Sequence, residues 1–338
     1  MSDPCADRFV LAPPDLPDLL AGARVVRIPL RVRFRGVEER EALLLHGPAG
    51  WGEFAPFLEY ADDEAARWLG AAVEAAWTGH PGPCRSTVAV NATIPAIAPA
   101  QVTSVLARYD GCRTAKVKVA EHGQTLADDL ARVAEVRALM GPAARIRVDA
   151  NGAWTVDQAV EAISRLARHG LEYVEQPCAR VEELARLRRE LAVSGIDVPI
   201  AADESIRKAG DPMAVRDLGA ADLIVVKVAP LGGVRRALQV VEQAGLPAVV
   251  SSALDTSVGI SAGLALAAAL PQLEYACGLG TLELAAGDVA ADPLVPVSGD
   301  LHVRRPECDE ELLERWAAPP ERVTWWRDRL TRCHQLLN

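Results

Sequence analysis

The stretch RIRVDANGAWTVDQAVEAISRLARHGLEYVEQP, Arg145 to Pro177, holds one complete structural unit and decides the fold. Arg145–Asp149 alternates charged and β-branched residues, reads as a short strand, and ends on a carboxylate. Thr155 with Gln158 three residues on is a capping box, the signature of a helix start. Val156, Ala159, Val160, Ile163 and Leu166 then fall on one helical face, and Gly170 stops the helix. Glu172–Glu175 is a second strand, and it too ends on a carboxylate. Two strands joined through a helix of this length run parallel.

The unit repeats in both directions. Thr125 opens another helix, with Leu126, Leu130, Val133, Val136 and Met140 as its buried stripe. The period predicts strands at Thr87–Asn91, Ala115–Val119, Arg145–Asp149, Glu172–Glu175, Val198–Ala202, Asp222–Lys227, Ala248–Ser251 and Glu274–Cys277. Eight such units in roughly 200 residues fit a closed barrel better than an open sheet. The fold class is therefore α/β, a (β/α)8-type barrel over residues 85–285.

The flanks break the period. Residues 1–84 read as an α+β capping domain, with strand-like Val25–Phe34 and Glu41–Leu45 around RGVEER, a helix over Ala61–Thr78, and a breaker at Gly79–Pro83. Residues 286–338 carry Pro293, Pro296, Pro306, Pro319 and Pro320, with Trp316, Trp325 and Trp326. This C-terminal segment is expected to leave the barrel and complete the capping domain, its tryptophans serving as core.

Composition narrows the function classes. The 338 residues are 50% hydrophobic and 24% charged, with a net charge of −10. An acidic surface repels phosphate backbones, so nucleic acid is not an expected partner. The N-terminal MSDPCADRFV lacks a signal-peptide pattern, and the apolar Ile260–Leu270 is too short to span a bilayer, so no membrane partner and a cytoplasmic location are expected. Cys5, Cys84, Cys112, Cys178, Cys277, Cys308 and Cys333 are odd in number and show no CxxC pair, which argues against a disulfide framework or a zinc site. The sequence leaves the oligomeric state open.

Polar residues gather where barrel enzymes hold their active sites, at the C-terminal ends of successive strands. Lys116 and Lys118 lie in AKVKVA, Asp149 in RVDANGAW, Glu175 in VEQP, Asp203 in AADES and Lys227 in VVKVAP. From Lys118 onward their spacing is 24 to 31 residues, about one β/α unit, so they are neighbours around one barrel mouth. Three converging carboxylates repel one another unless a cation joins them, and hard oxygen ligands suit Mg²⁺ or Mn²⁺. Lys116 and Lys118 alternate with apolar residues and point the same way, so each is expected to lower the other's pKa and free one lysine to act as a base. Lys227 faces them as a second acid/base or an electrostatic partner. A proton taken α to a carboxylate leaves an enediolate, the charge such a metal stabilises.

Other features carry less. Gly47–Gly52 reads as a tight turn leading to Glu53 rather than a phosphate loop, and His46, His80, His122, His169, His302 and His334 show no ligand spacing. Asp255 reads as a helix N-cap. Ser251 and Ser252 end the seventh expected strand, where their hydroxyls or the next helix N-terminus suit a substrate carboxylate. The capping loops Phe34–Glu39 and Pro56–Tyr60 are expected to shape the substrate pocket.

These residues resemble the enolase superfamily. KVK (Lys116–Lys118), DANGAW (Asp149–Trp154), EQP (Glu175–Pro177), DES (Asp203–Ser205) and Lys227 resemble its muconate-lactonising-enzyme subgroup, and GWGEFAP (Gly50–Pro56) resembles that subgroup's capping domain. The resemblance spans nearly the whole chain. It implies Mg²⁺ on Asp149, Glu175 and Asp203, Lys118 as base and then acid, Lys227 as the stabiliser of the enediolate, and Lys116 and Asn151 in support. The AKVKVA and RVDANGAW contexts, with SSALDTSVGI (Ser251–Ile260), further resemble the subgroup's dehydratases, implying loss of water from a small carboxylate substrate to give an aromatic ring. N-acylamino-acid racemisation, dipeptide epimerisation and muconate cycloisomerisation are the alternatives on the same scaffold. The Asp-x-Asp that dipeptide epimerases carry on the eighth strand is replaced here by Ala276–Thr281. A non-catalytic binding barrel is the remaining reading, and the intact lysines and carboxylates argue against it.

Overall fold

A computed structural model describes residues 14–207 and 212–337. The MSDPCADRFV stretch, with Cys5, lies outside the described residues.

The first element group is an antiparallel sheet of β1 (Arg24–Phe34), β2 (Val37–Gly47) and β3 (Gly50–Phe54) in that order. Phe34 pairs with Val37, so Arg35 and Gly36 alone form the turn between β1 and β2, both at positive φ (53° and 75°). Two left-handed residues match the right-handed twist of the flanking strands. The helix Asp62–Val73 follows and widens into a π-helical stretch at Glu74–Thr78, together covering the expected helix. Its apolar face, with Trp68 and Leu69, packs on Leu43, Leu45 and Phe54 and on Trp326 and Leu330 of the helix Pro320–His334. Trp326 is fully buried, and its indole N–H donates to Glu41 Oε2 at 2.7 Å. The tail's tryptophan thus serves as core, with its one polar atom satisfied.

The second group begins with β4 (Thr87–Ala89). It continues with β5 (Ala92–Ile94), β6 (Thr114–Lys118), β7 (Arg145–Asp149), β8 (Leu171–Glu175), β9 (Ile200–Ala202), β10 (Leu223–Val226) and β11 (Ala248–Val250). β5 to β11 form one parallel sheet in sequential order. The sheet closes through Cys277–Gly278: Cys277 bridges Val90, and Gly278 bridges Ser251. The chain is a (β/α)8-type barrel whose eighth stave is two residues, not the Glu274–Cys277 strand expected. The first stave also differs. Thr87–Ala89 pairs antiparallel with β12 (Asp300–His302) from the tail, and the stave beside β6 is Ala92–Ile94. Local alternation cannot reveal a pairing partner some 200 residues away, so the strand was placed a few residues early.

The helices behave as their caps direct. Thr125 and Thr155 each exchange hydrogen bonds with Asp128 and Gln158, starting Leu126–Met140 and Val156–Leu166. Gly170 ends the second in the left-handed conformation. With helices outside, the strands are buried on both faces, and the charged side chains at their C-terminal ends collect at one mouth.

Candidate active site

β6 to β10 deliver the expected residues to one mouth. Lys116, Lys118, Asp149, Asp203 and Lys227 line one cleft, with Asn151, Ser251, Ser252 and Thr281. Asp149, Glu175 and Asp203 are each only 1% exposed, so their charges depend on protein partners.

Each carboxylate meets an ammonium. Lys118 Nζ donates to Asp149 Oδ2 at 2.5 Å and to Asn151 Oδ1 at 2.6 Å. Lys116 Nζ lies 3.0 Å from Glu175 Oε1 and 3.4 Å from Asp149 Oδ2. Lys227 donates to Asp203 Oδ2, while Arg207 Nε lies 3.1 Å from Oδ1 of the same carboxylate. Among the described residues, no three His, Cys, Asp or Glu side chains are drawn together tightly enough to ligate an ion as they stand.

Charge balance tests whether a cation belongs there. Burial pushes Asp149 up, yet Lys118 and Lys116 outweigh it and hold the carboxyl well below its ordinary range. Asp203 is likewise held down against burial by Lys227 and Arg207. Glu175 goes the other way: burial, then Asp149, push it up to about 7. It is a carboxylate short of positive charge, flanked by two others on adjacent strands. This set of hard oxygen donors fits a divalent cation.

The expectation that Lys116 and Lys118 depress each other fails at Lys116. Burial would lower it, but Glu175 and Asp149 beside it win and raise it. Lys227 is lowered, because burial outweighs the pull of Asp203.

Backbone geometry explains the motifs. Asn151 and Gln176, just past the ends of β7 and β8, take positive φ (48° and 36°). The Asn151 N–H donates to Asp149 Oδ1 at 3.0 Å, fixing that carboxylate by a local turn. A Cβ on Gly152 would lie 3.0 Å from Ala179 Cα, so the DANG turn needs its glycine.

Several site residues escaped the sequence reading. Gln176 Oε1 accepts from Asp203 N–H (2.9 Å) and Ser205 N–H (3.2 Å), pinning the end of β9 to β8. Arg207 binds Asp203, Glu204 and, at 3.0 Å, the Tyr60 hydroxyl. Gln176, Glu204 and Ser205 lie inside the EQP and DES motifs, so a signal existed. Phe34, Arg35 and Phe57 also line the cleft, from the two loops, Phe34–Glu39 and Pro56–Tyr60, expected to shape the pocket.

Two expectations about the β11 end change. The N-cap of helix Ser257–Ala269 is Thr256, not Asp255, whose Oδ2 accepts from Ala253 N–H instead. That helix N-terminus also already holds carboxylates. Glu53 accepts from Thr256 N–H, Thr256 Oγ1–H and Gly259 N–H, and Asp288 accepts from Ser257 N–H. Ser251 and Ser252 do face the cleft, and the Ser252 hydroxyl pairs with Thr281 and Gly278 O.

The comparisons with known proteins agree with this architecture. Residues 25–76 match the family described as enolase N-terminal domain-like, and residues 100–307 match enolase C-terminal domain-like. The chain is 56% identical to the o-succinylbenzoate synthase of Mycobacterium ulcerans (strain Agy99), over 97% of this chain and 98% of that one. It is 57% identical to the o-succinylbenzoate synthase of Thermobifida fusca (strain YX), over 91% and 94%. In fold it is similar to the muconate lactonizing enzyme of Pseudomonas putida, with TM-score 0.71 at 22% identity over 88% of this chain and 98% of that one.

Proposed function

The chain belongs to the o-succinylbenzoate synthases of the enolase superfamily, and from that premise we propose that it dehydrates 2-succinyl-6-hydroxy-2,4-cyclohexadiene-1-carboxylate to 2-succinylbenzoate, a step of menaquinone biosynthesis. The observation that carries the reading is the set of lysines and carboxylates facing one cleft at the ends of β6 to β10.

The division of labour follows from their contacts. Lys118 takes the proton α to the ring carboxylate, and the C–H electron pair enters the enediolate. As hydroxide leaves, the same ammonium returns a proton to it, so water departs from the face at which the proton was taken. Asn151 and Asp149 hold Lys118 Nζ in place for both transfers. Lys227, on the opposite wall, keeps its positive charge near the developing oxyanions. Lys116 ties Glu175 to Asp149 and keeps the carboxylates in register. Asp149, Glu175 and Asp203 would hold Mg²⁺, with Mn²⁺ as the alternative ion, and the bound cation would supply fixed positive charge to the substrate carboxylate. Aromatisation makes the reaction strongly downhill, so the protein has mainly to lower the proton-transfer barrier.

We also propose a division of the chain into capping residues 1–84 and 286–338 over a barrel of residues 85–285, supported by the shared core of the N-terminal sheet and the C-terminal helix. Lys118 and Lys227 facing the same cleft also suits racemisation of an N-acylamino acid. The test is therefore a paired assay of the purified protein with Mg²⁺: dehydration of the cyclohexadiene, followed by ultraviolet absorbance, beside racemisation of an N-succinylamino acid. Fast dehydration is expected; racemisation without dehydration would refute the reading.

A further inference from the structure

The proposed substrate carries two carboxylates, one on the ring and one at the end of the succinyl arm. The deep cations of the cleft are already committed. Lys116 is matched to Glu175, Lys118 to Asp149, Lys227 to Asp203, and Arg207 to Asp203 and Glu204. A second carboxylate drawn into this pocket needs another cation, because burying an unpaired charge is costly.

Arg35 is placed to supply it. It lines the cleft together with Lys118 and Asp149, and it also lines an adjoining hollow that shares Lys118 and Asn151 with the cleft and adds Glu121 and His122. Its guanidinium carbon lies 5.0 Å over the Phe57 ring, so the head group is steadied by a π-face. The residue is half-buried, and among the described residues it forms no ion pair with a carboxylate. Its neighbours differ: Arg40 is buried and spends its donors on the carbonyls of Ala55 and Ala253, and Arg33 is exposed at the rim.

The backbone adds an independent sign. Arg35 occupies a left-handed position (φ 53°) in a two-residue hairpin turn, where Asn or Gly sits at less cost. The turn itself has no use for an arginine, and it aims the side chain across the barrel mouth.

We propose that Arg35 binds the distal, succinyl carboxylate of the substrate and so selects for a dicarboxylate. The inference rests on the dehydratase reading above. It assigns the ring carboxylate to the deep end of the cleft and the arm to the tip of the β1–β2 hairpin.

The test uses the full-length protein with Mg²⁺, and two stable ligands: 2-succinylbenzoate and its side-chain methyl ester, titrated by calorimetry. Wild type should bind the diacid about 10- to 100-fold more tightly than the ester, the value of one charge-assisted contact. Arg35→Gly suits the left-handed backbone and removes only the side chain. It should bring the two affinities within about 2-fold, and raise KM for the cyclohexadiene about 10- to 100-fold with kcat little changed. Arg33→Ala should keep the wild-type preference. An Arg35→Gly protein that still prefers the diacid, or an Arg33→Ala protein that loses the preference, would overturn the assignment. A wild type that fails to aromatise the cyclohexadiene instead sinks the dehydratase reading, a separate result.

Discussion

Two lysines and three carboxylates carry the chemistry proposed for this chain, and their contacts make them separable. Lys118 touches Asp149 and Asn151, the latter a contact that Lys116 does not share. Lys118→Ala is expected to lower kcat by about 10²–10⁴-fold, the usual worth of a general acid–base group, with far-ultraviolet circular dichroism unchanged. Retention of near-wild-type dehydration would remove Lys118 from the role. Asp203 is held by Lys227, Arg207 and the Gln176-braced backbone, so Asp203→Asn should keep its position while losing charge. Metal titration of that variant, followed calorimetrically, should shift by about 10–100-fold or more toward weaker binding. All these residues were legible in the sequence because each ends a strand, and strand ends recur at the β/α period. The loops that carry Arg35 and Phe57 were also expected at the pocket, but Arg207 was not, because its contact with Tyr60 comes from the capping domain meeting the barrel, which has no local period.

At the scale of elements, the barrel helices were read with more accuracy than the strands. Capping boxes at Thr125 and Thr155 are local chemistry and are visible in a few residues. Staves one and eight depend on closure: Val90 meets Cys277, and Thr87–Ala89 meets Asp300–His302. Such pairings are set by the whole ring. One helix start is also a docking point. A Cβ on Gly259 would lie 2.6 Å from Asp255 Cβ and 3.0 Å from Glu53 Cδ, so only a glycine leaves room for Asp255 and Glu53 against the first turn of the helix Ser257–Ala269. Gly259→Ala should destabilise the protein by about 1–3 kcal/mol, the usual penalty of overpacking. Thermal unfolding checks this, and an unchanged midpoint would mean that the sheet and barrel adjust freely at this contact.

For the whole molecule, that same contact makes stability depend on pH. Glu53 comes from β3 and lies buried against the barrel, where burial and then Asp255 push it up to about 8. In the unfolded chain a glutamate titrates near ~4.3. The folded state therefore binds the extra proton between these values, and the contribution of Glu53 is full below about pH 4.3 and fades as pH rises toward 8. Glu53→Gln is neutral at every pH, so its melting temperature should gain on that of wild type as pH goes from about 5 to about 8.5. Parallel pH curves for the two proteins would refute the assignment. The helix Pro320–His334 has a different kind of consequence. It buries Trp326 beneath the N-terminal sheet, and its Arg329 holds the carbonyls of Phe57 (3.3 Å) and Tyr60 (2.5 Å), in the loop that roofs the cleft. The ribosome makes that helix after the sheet and after the barrel. The sheet emerges well before it and waits for the barrel to be made before its apolar face is covered, so a nascent polypeptide that has not reached residue 320 exposes that face to chaperones and proteases. Synthesis order thereby becomes a proofreading step, in which only a chain that includes this helix can roof the cleft.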